Sequence, residues 1–355
     1  CSINAVKEPE DIEKKINVDI ETLRKIGFNE DQLFGVNLDY SGPQKQLVLT
    51  HRFPVTFKSN QMLSRRVYFT NFFDWIGNIR EYSIYPIFKE FAKLAETGKW
   101  GMVTNMTELE ILGGIKSNDI IEAKIWGEYL EGNKEATTPM FYEWYRITDG
   151  GRRERVAVAR QKSTFVSIRE DHSVKIERMP KFLHEYLTLM NPARTLTLGK
   201  RIKSYSGNVV HKVKIDEGMF STTLENANLV GNIYFANYAK WLGAVADRFF
   251  YNLIPSYFLN INDKKELICL ECNIYYLNDA FPFESIFVEM YLDEIYENGL
   301  RLYFEFYRIK EGKKEIKLAY ANQKVVFVNW SNEITPETIK IPDKVREFIK
   351  SKDLI

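Results

Sequence analysis

A long internal repeat constrains this 355-residue chain more than any other feature. Tyr68, Asn71, Trp75 and Gly77 return as Tyr234, Asn237, Trp241 and Gly243, each 166 positions later (234 − 68 = 166). Glu143-Trp-Tyr-Arg-Ile147 answers Glu305-Phe-Tyr-Arg-Ile309, Gln161-Lys162 answers Gln323-Lys324, and Pro180 answers Pro342 (342 − 180 = 162). The offset drops by four, so the first half carries extra residues between its helix and its hairpin. A repeat of this length is a duplicated domain, because solenoid units repeat every few tens of residues.

Each half has the same order of elements. In the second, Tyr234, Tyr238, Trp241, Leu242, Val245 and Phe249 share one stripe of helical period, which predicts a helix over Ile233–Phe250. Its counterpart is Val67–Glu81. Both carry few polar residues and are expected to be buried. Strand-like segments run over Lys45–Lys58, Met102–Leu112, Ile120–Tyr129, Pro139–Thr148 and Arg155–Ile168, with Gly150-Gly151 marking a hairpin. Pro180–Leu189 reads as a short helix with Pro in its first turn. A strand, a long helix and three or four antiparallel strands make an α+β unit. The expected division is a leader over 1–44, with an amphipathic piece at Ile12–Ile26, one lobe over 45–190, a linker near Asn191–Gly207, and a second lobe over 208–355.

The net charge is +1, which gives no reason to expect a nucleic-acid or anionic-membrane partner. No apolar run reaches the length of a membrane span. Three cysteines cannot build a disulfide scaffold. Cys269 and Cys272 form a Cys-x-x-Cys, but inside the strand-like run Leu267–Leu277. Strand alternation sends positions i and i+3 to opposite faces, so no shared metal or redox pair is expected. His51, His172, His184 and His211 show no zinc spacing. The chain opens on Cys1, as an excised piece, a tag-trimmed chain or a mature lipoprotein would. The expected location is the cytoplasm, or a lipid anchor if Cys1 is a processed terminus.

The chemistry concentrates in Glu225–Phe250. Polar Glu225, Asn226 and Asn228 precede Gly231, and then the helix begins. A loop feeding a helix start gathers free N–H groups and partial positive charge, where a carbonyl oxygen can be polarised. Asn228 or Asn232 is placed to cap that helix. Asn228-Leu-Val-Gly231-Asn232-Ile-Tyr-Phe-Ala-Asn237-Tyr238-Ala-Lys-Trp241-Leu-Gly243 resembles the active-site loop and central helix of hotdog-fold acyl thioesterases. It is most similar to the branch that releases polyenes from enediyne polyketide synthases. The resemblance covers roughly residues 45–355. It implies a double hotdog, an internal pseudo-dimer in which each lobe wraps a curled antiparallel sheet round one helix, with further homo-oligomerisation left open.

The resemblance also implies a site. Related thioesterases carry a catalytic Asp where this chain has Asn228, and the enediyne branch has an Arg further along the helix. The second lobe has Ala246 there and the first has Arg80. The implied set is Asn228, Gly231, Asn232, Tyr238 and Arg80, and no single lobe carries all of it. The first lobe places Met62, Arg65 and Phe72 where the second has Asn228, Gly231 and Tyr238, so its loop reads as degenerate. An Asn amide cannot take a proton at neutral pH. Hydrolysis would then use an oriented water at Asn228, with the carbonyl held near the N–H groups of Gly231 and Asn232. Glu225 is a candidate base ahead of the loop, and each residue also has a plainer reading: a helix cap or Asx turn for Asn228, core filling for Tyr238, a salt bridge or solvent for Arg80, and simple exposure for Glu225. Neither His51 nor His211 starts the His-x-x-x-Gly-x-x-x-x-Pro pattern of double-hotdog dehydratases.

The expected function is hydrolysis of acyl or β-ketoacyl thioesters on an acyl carrier protein or coenzyme A, in polyketide or fatty-acyl biosynthesis. No cofactor is expected, since the substrate carries phosphopantetheine or coenzyme A. A double-hotdog acyltransferase or decarboxylase and a non-catalytic acyl-binding scaffold stay open beside it.

Overall fold

Alternation of apolar and polar residues gives the chain its strands, and hydrogen bonding gathers them into a single antiparallel sheet. The computed structural model describes residues 35–39, 48–61, 66–84, 93, 100–127, 137–148, 150–168, 174–180, 183, 208–259, 264–330 and 336–352. The leader with its Ile12–Ile26 piece, the linker, most of Pro180–Leu189, and Met62 and Arg65 lie outside the described residues.

In the first half, β1 (Gly35–Asp39) and β2 (Val48–Pro54) precede helix α1 (Thr70–Ser83). Then come β3 (Trp100–Ile111), β4 (Ile120–Gly127), β5 (Thr137–Ile147), β6 (Arg153–Ile168) and β7 (Val174–Ile176). The second half runs β8 (Asn208–Ser221), α2 (Ala236–Leu253), α3 (Ser256–Leu259), β9 (Lys265–Tyr276), β10 (Ser285–Ile295), β11 (Gly299–Lys310), β12 (Lys313–Asn329), β13 (Glu337–Thr338) and α4 (Asp343–Ser351). The sheet order is β1-β2-β4-β5-β6-β3-β9-β12-β11-β10-β8. Leaving aside β1, each half counts first, third, fourth, fifth, second strand from its outer edge inward. The halves meet where β3 pairs with β9, from Met106 opposite Tyr275 to Glu110 opposite Glu271.

The two long helices lie on the sheet. α1 buries Phe72, Phe73, Ile76 and Ile79, and α2 buries Tyr238, Leu242, Val245 and Phe250. Full burial of such a side chain contributes about 1.5–3 kcal/mol, so these faces hold the helices down. Both helices start three residues later than the period alone predicts. Ile233 N–H donates to Ala280 O at 2.8 Å and Tyr234 N–H to Asn226 O at 2.8 Å, which pins those residues in a turn. The recurring Asn has the same task twice. Asn237 Nδ2 donates to Asn226 O (2.9 Å) and Tyr234 O (3.1 Å). Asn71 Nδ2 donates to Ser59 O (3.0 Å) and Tyr68 O (3.1 Å).

The recurring Tyr and Gly are also a pair. A Cβ on Gly243 would stand 2.8 Å from Tyr68 Oη, and one on Gly77 would land on Tyr234 Oη. Each helix therefore receives the other half's tyrosine at its glycine. Tyr68 Oη goes on to donate to Asp247 Oδ2 at 2.8 Å, and Tyr234 Oη to Glu81 Oε1 at 3.4 Å. At the β5–β6 hairpin, Gly150 and Gly151 take φ of +88° and +78°, left-handed values that glycine adopts without strain.

The two cysteines do not face opposite sides of the strand, for a local reason. β9 carries a bulge: Glu271 faces Lys324 and Cys269 faces Val325, leaving Leu270 extra. The extra residue resets the alternation. Cys269 and Cys272 consequently pack against the same core, while Ile268 and Leu270 face the other side with Val326 and Trp330. Burial pushes the Cys269 thiol up to about 12, so the reactive thiolate is disfavoured. Among the described residues no three metal-ligating side chains cluster, and no helix is long and apolar enough to cross a membrane.

Candidate active site

A cavity of about 30 Å³ opens where the loop before α2 meets the first half of the sheet. It is lined by Arg80 of α1, Met102 and Thr104 of β3, and Asn228, Asn232, Tyr234, Phe235 and Tyr238 from the α2 side, with Tyr276, Asn278 and Asp279 completing it. A volume of this size admits one or two waters. Four of the five residues singled out from sequence meet here, drawn from both halves; Gly231 is the exception.

The loop is stapled at several points. Thr222 Oγ1 donates to Phe281 O at 2.8 Å, Thr223 and Asn226 form a capping box, and Ala280 O receives Ile233 N–H. Inside it, Asn228 Oδ1 accepts the N–H groups of Val230 (2.9 Å) and Gly231 (3.1 Å), an Asx turn. Those two donors fix which way the amide points. Its oxygen is engaged by the loop, and Nδ2 is the end left to donate into the cavity. Asn228 therefore cannot orient a water by accepting its proton.

Gly231 leaves the site. Its N–H donates to both Asn228 O (3.0 Å) and Asn228 Oδ1, and the residue is exposed. Its φ of +95° explains the glycine by turn geometry, with no substrate approach needed. Nor do Asn228 and Asn232 cap the helix. α2 begins at Ala236 with Phe235 as its N-cap residue and no side-chain cap bond. Asn237 and Tyr238 N–H turn back onto Tyr234 O (3.0 Å) and Phe235 O (3.3 Å). The N–H groups of Phe235 and Ala236 make no hydrogen bond among the described residues, so the free donors of this helix start sit three to five residues beyond the expected pair.

Asn232 belongs to the cavity in another way. Its Nδ2 donates to Asp279 Oδ1 at 2.8 Å, and its buried Oδ1 has no partner among the described residues. Tyr238 is 3% exposed, its ring packed on Trp241, Tyr276 and Phe306 at 5.1–5.2 Å. Burial first, and then the negative charges of Asp279 and Glu284, push its hydroxyl above the usual tyrosine range. It stays a neutral donor. Arg80 Nη1 donates to Gln161 Oε1 (3.1 Å) and Thr104 Oγ1 (3.4 Å), with its guanidinium 5.2 Å from the Phe235 ring centre. It makes no ion pair with a described acid, which sets aside the salt-bridge reading. Half-buried, with these hydrogen bonds going to neutral groups, it can receive a carbonyl or an anion. Glu225 is exposed and takes no part.

Sequence reasoning missed Asp279. It follows β9 in Asn278-Asp-Ala-Phe-Pro282, a composition that signals only a turn. Nothing local marks its side chain as facing the α2 loop.

The first half has a counterpart cavity of about 90 Å³, lined by Val67, Phe69, Phe72, Leu267 and Cys269. It is larger but differently equipped. Phe72 stands where Tyr238 stands, and Glu266 is engaged by Trp330 Nε1 at 2.6 Å and by Gln61. The Arg66 guanidinium lies over the Trp330 ring at 3.3 Å.

Residues 222–349, which contain the loop, α2 and β9–β12, match the model of the Thioesterase-like superfamily. That match lies within the second half of the chain. An acyl-ACP thioesterase from Bacteroides thetaiotaomicron is similar over 79% of this chain and 97% of its own, at 13% identity and a TM-score of 0.53. The 12:0-ACP thioesterase from Umbellularia californica is similar over 82% of this chain and 94% of its own, at 8% identity and a TM-score of 0.57. At such identities the likeness is one of fold, the hotdog fold of thioesterases. The dynemicin thioesterase matches 38% of this chain and 94% of its own, with 24% identity and a TM-score of 0.35. No curated protein matches.

Proposed function

We propose that this chain is a double-hotdog thioesterase that hydrolyses acyl or β-ketoacyl thioesters carried by an acyl carrier protein or coenzyme A. The observation that carries the reading is the composite cavity: Arg80 comes from one half, and Asn228 and Tyr238 from the other. The thioester carbonyl faces the start of α2. The free N–H groups of Phe235 and Ala236, Asn228 Nδ2 and the Tyr238 hydroxyl are the donors available to the oxyanion. Arg80 receives a β-keto oxygen. The pantetheine arm enters between the lobes, and the setting is polyketide or fatty-acyl biosynthesis in the cytoplasm. No cofactor takes part.

The test is a panel of acyl and β-ketoacyl thioesters, on carrier protein and on coenzyme A, followed by mass spectrometry. β-Ketoacyl substrates should turn over fastest. Asn228→Ala should lower the rate by about 10²–10³, the usual effect of one lost oxyanion contact. Arg80→Ala should remove the β-keto preference, by about tenfold, as loss of one charged hydrogen bond does. A wild-type protein that binds acyl carriers and hydrolyses none is an acyl-binding scaffold.

A further inference from the structure

The composite cavity has donors in plenty and needs an acceptor for the water's proton. Arg80, Tyr238, Thr104 and the amides of Asn228 and Asn232 cannot take a proton at neutral pH. Asp279 is the one carboxylate on the cavity wall among the described residues. Accepting the thioesterase reading above, we infer that Asp279 is the general base of this site, taking over from the acid that is absent at position 228.

The main chain around Asp279 is a frame built twice. Ile233 N–H donates to Ala280 O (2.8 Å) as Val67 N–H donates to Ile115 O (2.9 Å). Leu277 and Asn278 N–H donate to Leu318 O (2.8 and 3.1 Å) as Leu112 and Gly113 N–H donate to Val156 O (2.8 and 3.1 Å). Arg308 Nη2 reaches Asp279 O at 2.7 Å as Arg146 Nη1 reaches Gly114 O at 3.0 Å. Every one of these bonds pairs Asp279 with Gly114. The frame therefore forms with no side chain at this position. The carboxylate is an addition, present only in the half whose cavity also has Asn228, Asn232 and Tyr238.

Its aim is fixed as well. Asn232 Nδ2 holds Oδ1 at 2.8 Å, and Oδ2 is left for a water. The charges around it are Arg80 from α1, Arg308 from β11 and Glu284 from the β9–β10 loop, with the neutral hydroxyls of Tyr238 and Tyr276 from α2 and β9. In the reaction, Asp279 takes one proton from water as the water oxygen bonds to the thioester carbon. The carbonyl electrons move to oxygen, where the donors at α2 hold them. Collapse re-forms the C=O and breaks the C–S bond. The proton on Asp279 passes to the departing thiolate, giving the thiol and a carboxylic acid that ionises to solvent.

The experiment compares kcat, KM and the pH profile of wild type, Asp279→Asn, Asp279→Gly and Asn228→Asp/Asp279→Asn on the best thioester of the panel. Asn keeps an oxygen for Asn232, and Gly copies the first half, so both variants should melt with the wild type. General-base removal should lower kcat by about 10²–10⁴ with KM little changed. The wild-type profile should fall toward acid, and both single variants should lose that limb. A carboxylate restored at 228 should recover part of the rate. An active wild type whose Asp279 variants keep its kcat and acid limb overturns this assignment and leaves the thioesterase reading standing. A wild type inert toward the whole panel overturns both.

Discussion

Tyr238 differs from Phe72, its counterpart in the other half, by one oxygen atom (238 − 72 = 166). The two rings do the same packing: each sits about 5 Å from the Trp three residues on. The oxygen adds nothing to that packing, and no described group accepts from it. Removing a hydroxyl that has no protein partner is close to neutral for stability. Tyr238→Phe should therefore leave the melting temperature unchanged while lowering kcat/KM about tenfold, one hydrogen bond's worth of transition-state stabilisation. An unchanged kcat/KM would show that the hydroxyl does not touch the substrate. Asn228 shows the limit of reading a residue alone. Its turn-forming role was foreseeable from its type; that the turn consumes its oxygen was not.

At the scale of elements, α1 and α2 meet through two glycine–tyrosine contacts of unequal tightness. An alanine at Gly243 meets chiefly the Tyr68 hydroxyl, with the Phe69 ring next at 3.3 Å. At Gly77 it meets the Tyr234 hydroxyl and also ring carbon Cζ at 2.7 Å. Overpacking costs about 1–3 kcal/mol, against about 1 kcal/mol gained in helix propensity. Gly77→Ala should thus lose clearly more stability than Gly243→Ala in denaturant unfolding. Tyr68→Phe should cancel most of the Gly243→Ala loss, while Tyr234→Phe recovers only part of the Gly77→Ala loss, read as coupling energies in two double-mutant cycles. Equal losses, indifferent to the phenylalanine changes, would mean that the helices do not dock through these contacts.

At the scale of the whole molecule, the halves are held by the β3–β9 ladder and by polar pairs across the helices: Tyr68–Asp247, Tyr234–Glu81, and Lys240–Asp74 at 2.9 Å. Asp247 is exposed over much of its surface, but its carboxyl tip is tucked against Tyr68. Loss of water there pushes it from 3.8 up to about 6, with the Tyr68 hydrogen bond pulling back. The folded state then holds the proton more tightly than the unfolded chain does. Its contribution to stability is present below 3.8 and is lost as pH rises through about 6. Solvent at the exposed part of the residue keeps the effect small. Asp247→Asn should match the wild type below that window, flatten the profile across it, and be slightly more stable than the wild type above it, as measured by denaturant unfolding at a series of pH values.

The sequence by itself determined the repeat, the order of strands and helices within it, and the stretch where chemistry collects. These follow from periodicity and from residue types at fixed spacing, which are local properties of the chain. It also held both parts of the composite set, Arg80 in one half and Asn228 and Tyr238 in the other, without showing that they meet. Only the tertiary structure decided that, because a contact between α1 and the α2 loop depends on how the halves pair through β3 and β9. The bulge at Leu270 turned two cysteines to one face that strand alternation would have parted. The bonds of Ile233 and Tyr234 moved the helix start, and with it the free donors, past Gly231. Asp279 was invisible for the same reason: its carboxylate gains a place in the cavity only when Ile233 ties the β9–β10 loop to the start of α2.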